Sequence, residues 1–232
     1  MDFFDSLIIR ALQVIEKYDR KSYPYTPSDI WPEEEYSHVI LQRDTVSELD
    51  GTGFNLVTSK KIEDGVCLIG DDIGNIKGKR KFARICIVQL EYGADEQKSY
   101  NLIRKIDYIK YHFFPEGYMI RTSSRAHKES VRVSKAAVKD GISFRRIGNM
   151  IIKKYKENPA VKGVQVYFIT EAAADYEEIE SLACKSNSIA ETLNHVMNSV
   201  TFDCDTCNLK AVCNEVEGMK ELHFKNKGNG MN

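Results

Sequence analysis

With 232 residues, 42% of them apolar, the chain is long enough to bury the core of one large domain or two small ones. Its 33 lysines and arginines against 34 aspartates and glutamates leave a formal net charge of −1, so bulk charge gives no argument for nucleic acid or an anionic membrane, and any basic site must be local. No apolar run approaches the roughly 18 to 20 residues that span a bilayer, and the N-terminal MDFFDSLIIRALQVIEKYDR carries acids where a signal peptide carries basic residues. A cytoplasmic protein is expected.

Phe4, Leu7, Ile8, Ala11, Leu12, Ile15 and Tyr18 recur at helical spacing and predict an amphipathic helix over residues 3–20, a lid on the domain's own sheet. Residues 21–35 hold three prolines and the lone Trp31, which read as an extended linker with the indole as its anchor. Short strand-like runs follow: YSHVILQRD, FNLVTS after turns at Gly51 and Gly53, GVCLIG and KFARICIVQLE. The last is apolar on both faces, which predicts a central strand over residues 82–90 with Cys86, like Cys67 before it, as a small core residue. The stretch GNIKGKRK carries Lys77, Lys79, Arg80 and Lys81 and reads as a charged, solvated turn.

Leu102, Ile103, Ile106, Tyr108 and Ile109 predict a helix over residues 94–113, stopped by Pro115 and Gly117. In GYMIRTSSRAHKESVRVSK, Arg121, Arg125, His127, Lys128, Arg132 and Lys135 stand among small hydroxyl residues. Short strands on either side would splay them toward one surface, and guanidinium with hydroxyl donors suits a phosphate or carboxylate. A helix on Phe144, Ile147, Ile151 and Tyr155 ends at Asn158-Pro159, the strand VKGVQVYFIT follows, and an acidic helix from Glu171 gives way to a second helical stretch reaching about residue 200. The expected fold class is α+β: a mixed sheet flanked by helices, with a small helical, cysteine-bearing C-terminal tail. The expected organisation is a helix and Pro-rich linker over residues 1–35, a sheet domain over 36–170, the tail over 171–225 and a disordered end over 226–232.

Three of the chain's six cysteines, Cys204, Cys207 and Cys213, lie within ten residues in the order C-x2-C-x5-C. A C-x-x-C turn brings two thiolates to one point, and one further turn brings the third. In a reducing compartment such a cluster points to metal rather than disulfides. Three thiolates hold three irons of a [4Fe–4S] cubane and leave the fourth for Cys184, His223 or His195, with sulfur the commoner ligand. Zinc in a Cys3His set with His223 is the alternative. No nucleophile with a paired base, nucleotide loop or carboxylate dyad stands out from the spacing.

The runs KKIEDGVCLIGDDIGNI, KFARICIVQLEYG and RVSKAAVKDGISFRRIGNMIIKKYK followed by VKGVQVYFIT resemble the middle domain of CO-methylating acetyl-CoA synthase, the beta subunit of the CO dehydrogenase/acetyl-CoA synthase complex. In that family two helices lead from the middle domain to a C-x-x-C pair, as the sequence here leads to Cys204 and Cys207. The resemblance implies that these open an iron–sulfur ligand set, with Cys213 as the third member at a shorter gap. It also implies coenzyme A as a ligand, met by Arg121, Arg125, Arg132, Arg145 and Arg146, and a CO dehydrogenase, corrinoid or ferredoxin-type partner. The later cysteine motifs that grip nickel in the family do not follow Cys213, so stand-alone acetyl-CoA synthesis is not expected.

Overall fold

The computed structural model describes residues 3–34, 39–91, 96–123, 127–197 and 210. Among these, seven strands form one mixed sheet: β1 (Lys21–Pro24), β2 (Thr45–Thr58), β3 (Gly65–Ile69), β4 (Gly78–Leu90), β5 (Tyr118–Thr122), β6 (Lys128–Ser134) and β7 (Val161–Ile169). They lie in the order β1-β3-β7-β4-β2-β6-β5, with the β3–β7 and β4–β2 pairs parallel and the others antiparallel. The helices are α1 (Asp5–Ile15), α2 (Glu96–Tyr108), α3 (Lys135–Lys139), α4 (Phe144–Lys156) and α5 (Tyr176–Met197). The fold class is α+β, as expected, and none of the described helices is long and apolar enough to cross a membrane.

The expected central strand is central. Every residue from Phe82 to Val88 is buried, which requires cover on both faces of β4. Strand alternation turns Phe82, Arg84, Cys86 and Val88 to one face and Ala83, Ile85 and Ile87 to the other. The first face is covered by α4, where Phe144 stacks on Phe82 and Phe168 with ring centroids 5.9 and 4.6 Å away. Gly148 lets α4 ride low: a Cβ there would stand 2.4 Å from Val66 Cγ2. The start of α4 is fixed by Ser143 Oγ, which accepts from Arg146 N, and by Asp72 Oδ1, which accepts from both Phe144 N and Ile73 N at 2.8 Å. The other face carries α1 and α5, joined by the Arg10–Glu178 ion pair and tied to β2 where Thr58 Oγ1 donates to Asp5 Oδ1.

Since β6 pairs only with Thr45–Thr52 of β2, the far half of that strand has no strand neighbour on that side among the described residues. Helices α2 and α5 take its place, and Ser186 Oγ of α5 donates to the backbone oxygen of Asn55 at 2.9 Å, satisfying an acceptor the sheet leaves open.

Several expectations need correction. Residues 39–44 form no strand: Ile40 is buried against β5, its N–H directed at Met119 Sδ, and 42–44 make a short 3-10 turn. Gly51 and Gly53 are not turns but interior residues of a 14-residue strand. At Gly51 an added Cβ would fall 1.7 Å from the oxygen of Phe82, so the two backbones meet where a side chain would stand. Gly78 to Lys81, expected as a solvated turn, opens β4, because Lys79 and Lys81 find Glu48 and Asp50 opposite them on β2. Residues 21–24 are extended as expected, yet they pair with β3 as an edge strand. α1 ends at Ile15, and the two helical stretches after Glu171 are one helix, α5, since no Gly or Pro interrupts residues 176–197.

Candidate functional site

The most heavily built polar feature is one that sequence reasoning passed over. Arg84, its side chain 5% exposed, grips Glu129, 1% exposed, through Nε at 2.9 Å to Oε1 and Nη2 at 2.6 Å to Oε2. Its Nη1 reaches Cys86 Sγ at 3.0 Å and Asn55 Oδ1 at 3.4 Å, and Tyr155 OH donates to the same Asn55 oxygen at 2.7 Å. Alternation on β2 and β4 delivers Gly53, Asn55, Arg84 and Cys86 to one face, while β6 brings Glu129 and α4 brings Tyr155. Burial, the largest single influence, favours the neutral guanidine, but the Glu129 carboxylate together with Cys86 and Tyr155 outweighs it and the Arg84 pKa is raised. Burial also raises the Cys86 thiol, even against the adjacent guanidinium, so burial favours the neutral thiol of a core residue. The available signal was a single arginine inside the apolar run FARICIV.

The structure divides the five arginines expected to meet an anion. Arg145 and Arg146 of α4 both pair with Asp29, Arg146 Nε at 3.4 Å from Oδ1. Arg146 also lies over the Trp31 ring, 4.4 Å from its centroid, and Arg145 over Tyr23. Fully buried Asn149 holds the same segment, donating to Asp29 O at 2.8 Å and accepting from Thr26 N. Trp31 is the anchor its place in the sequence promised, 4% exposed, with Nε1 donating to Glu116 O at 2.7 Å. These two arginines therefore strap the N-terminal segment to α4.

Arg121 of β5 and Arg132 of β6 stand on the opposite face, where the register sets Arg121 beside Ser130 and Arg132 beside Met119. They line a shallow groove of about 180 Å³ with Lys79, Glu48 and Asp50. Arg132 Nε donates to Glu48 at 3.2 Å, and Lys79 reaches the same carboxylate at 3.8 Å. Among the described residues Arg121 has no ionic partner. Arg125 lies outside the described residues.

Cys204, Cys207, Cys213 and His223 also lie outside the described residues, as does the side chain of His195. Cys184 is exposed on α5, its thiol raised by partial burial and then by Glu180. Among the described residues no three His, Cys, Asp or Glu side chains gather as a metal group. Cysteines at the spacing C-x2-C-x5-C are soft donors of the kind that suit iron–sulfur or zinc.

No curated protein matches the chain. The family described as CdhC, CO dehydrogenase/acetyl-CoA synthase complex beta subunit, matches over residues 35–174. That span takes in β2 to β7 and α2 to α4, including every member of the Arg84–Glu129 network, and stops short of α5 and the clustered cysteines. The match covers well over half of the sequence and the whole centre of the sheet, so the chain belongs to the CO dehydrogenase/acetyl-CoA synthase complex beta subunit family.

Proposed function

We propose that this chain is an acetyl-CoA-synthase-like iron–sulfur protein with an accessory or electron-transfer role in the metabolism of CO, corrinoid-borne methyl groups and acetyl-CoA. The observation that carries this reading is the family match through the entire sheet core, followed in sequence by C-x2-C-x5-C. In this reading residues 36–170 are the scaffold and 171–225 the cluster-bearing part, with Cys204, Cys207 and Cys213 as ligands and Cys184 or His223 as the fourth. A cluster there supplies one-electron chemistry, tuned by thiolate ligation and solvent exposure. Its partner is a CO dehydrogenase, corrinoid or ferredoxin-type protein. Because Arg145 and Arg146 serve Asp29, coenzyme A is not assigned to them.

Anaerobic purification with iron, sulfide and zinc analysis tests the reading. It expects about four irons and four sulfides per chain, an EPR signal on reduction, and loss of iron in Cys204→Ser. Stoichiometric zinc without iron overturns it in favour of a structural Cys3His site in a non-catalytic binding module.

A further inference from the structure

The two faces of the sheet are not covered alike. On the face that carries α1 and α5, those helices pack on β2, while among the described residues the end formed by β5, β6 and the start of β4 has its main helix contact in the short α3, which follows β6 directly. The outward residues there are charged. Lys79, Lys81, Arg121, Lys128 and Arg132 stand against two carboxylates, Glu48 and Asp50. Glu48 is already shared by Arg132 and Lys79, so Arg121 and Lys128 outnumber the remaining Asp50, and the surface is net positive on a chain whose total charge is −1. A chain balanced as a whole but positive over this end of one sheet face has concentrated its cations there.

The same face has an apolar margin. Residues 39–41 run across it, tied by Arg132 Nη1 to Ile40 O and by Ile40 N to Met119 Sδ, and they leave Val39 68% and Leu41 50% exposed. These are two of only four large apolar residues so exposed among the described residues. Exposed aliphatics on a segment held by Arg132 and Met119, which also line the groove with Arg121 and Ser130, form the mixture of apolar and charged surface that protein contacts use.

We propose that this end of the sheet is a docking face for an acidic segment of a partner protein, its carboxylates meeting Arg121, Lys128 and Lys79 and an aliphatic side chain seating between Val39 and Leu41. The proposal goes beyond the cluster and does not depend on it. Charge complementarity selects the acidic occupant: a neutral or basic segment would leave Arg121 and Lys128 facing it without counter-charge.

The probe is a synthetic peptide rich in Asp and Glu that carries two leucines, titrated into the full chain, with a control in which every acid becomes its amide. The acidic peptide binds, the amide control binds at least about tenfold more weakly, and raising salt from about 0.05 to about 0.5 M weakens binding by a similar factor. Arg121→Glu with Lys128→Glu lowers affinity about tenfold or more, and Val39→Ser with Leu41→Ser about threefold or more, with the thermal midpoint unchanged because all four side chains are exposed or at the margin. The milder Arg121→Gln moves affinity in the same direction and serves if the charge reversal impairs folding. Equal binding of the amide control, or no response to either Arg121 variant, overturns the proposal. Displacement of the peptide by equimolar coenzyme A or inorganic phosphate also overturns it, by making the groove a small-anion site. Repeating the titration with Cys204→Ser separates the two readings, since peptide affinity is expected to survive loss of the cluster.

Discussion

Gly53 marks how tightly the centre of the sheet is built, for a Cβ at that position would lie 2.0 Å from Glu129 Oε2 and 3.0 Å from Arg84 Nη2. The ion pair occupies the space a side chain would take, and neither partner reaches water. Glu129→Gln therefore leaves a buried guanidinium without its counter-charge and is expected to cost about 3–5 kcal/mol in a urea titration. The double variant Arg84→Met with Glu129→Met, which removes both charges and fills the volume, is expected to recover a large part of that loss. If the double variant is as unstable as the single, the pair acts through packing rather than charge. His127 gives a second prediction. Burial first, then nearby Lys110, lowers its pKa below the usual 6.5, while Asp107, Glu180 and Glu191 act in the opposite direction. The folded protein thus resists protonation while the unfolded chain accepts it, so stability present above about pH 6.5 falls as the pH drops from there toward the folded-state pKa. His127→Gln is expected to flatten this part of the profile of thermal midpoint against pH. At this scale the sequence was partly legible: Trp31 and Cys86 were found as core residues, but Arg84 was hidden in an apolar run, because its partner Glu129 is 45 residues away. The cysteine spacing was plain for the opposite reason, since its meaning lies within ten residues.

Helix α4 shows what an element needs beyond periodicity. Its apolar positions were evident from the sequence, and Phe144, Ile147, Ile151 and Tyr155 are all buried in the structure. What fixes its height and start was not evident, because the determinants lie on other segments. Gly148→Ala would set a methyl 2.4 Å from Val66 Cγ2, so the helix must lift or β3 must yield, and a loss of about 1–3 kcal/mol is expected from denaturant unfolding. Asp72→Ala removes one carboxylate oxygen that accepts from both Ile73 N and Phe144 N, and about 1–2 kcal/mol is expected from loss of this shared cap. Asp72→Asn, which keeps an oxygen acceptor, should recover most of it. The same limit applied to the arginines. Nearness in sequence suggested one anion site, yet strand alternation sends Arg121 and Arg132 to one face, and Asp29, more than 100 residues upstream, draws Arg145 and Arg146 to the other. Only the half of β2 from Phe54 on was read as a strand, because glycine signals a turn locally, whereas here it permits close approach to β4 and to the ion pair.

Across the whole molecule, the described elements outside the family match are fastened to those inside it. The β1 edge and the Asp29–Trp31 strap join the N-terminal segment to β3 and α4, and α5 closes the open half of β2 through Ser186. The α+β class was legible because strand and helix periods differ along the chain, but the attachment of α5 was not, since a serine on a helix face carries no sign of the strand acceptor it will meet. If α5 is integral to the fold, unfolding is one transition. Far-UV circular dichroism, which weights the helices, and fluorescence of the single tryptophan, which reports the strap on α4, should then give coincident midpoints. Ser186→Ala leaves the Asn55 carbonyl buried without a partner and should lower both midpoints together, by about 1–3 kcal/mol. A fluorescence midpoint that stays fixed while the dichroism midpoint falls would show α5 to be a separately folding appendage. Any cluster held beyond α5 would then be tethered to the sheet rather than built on it.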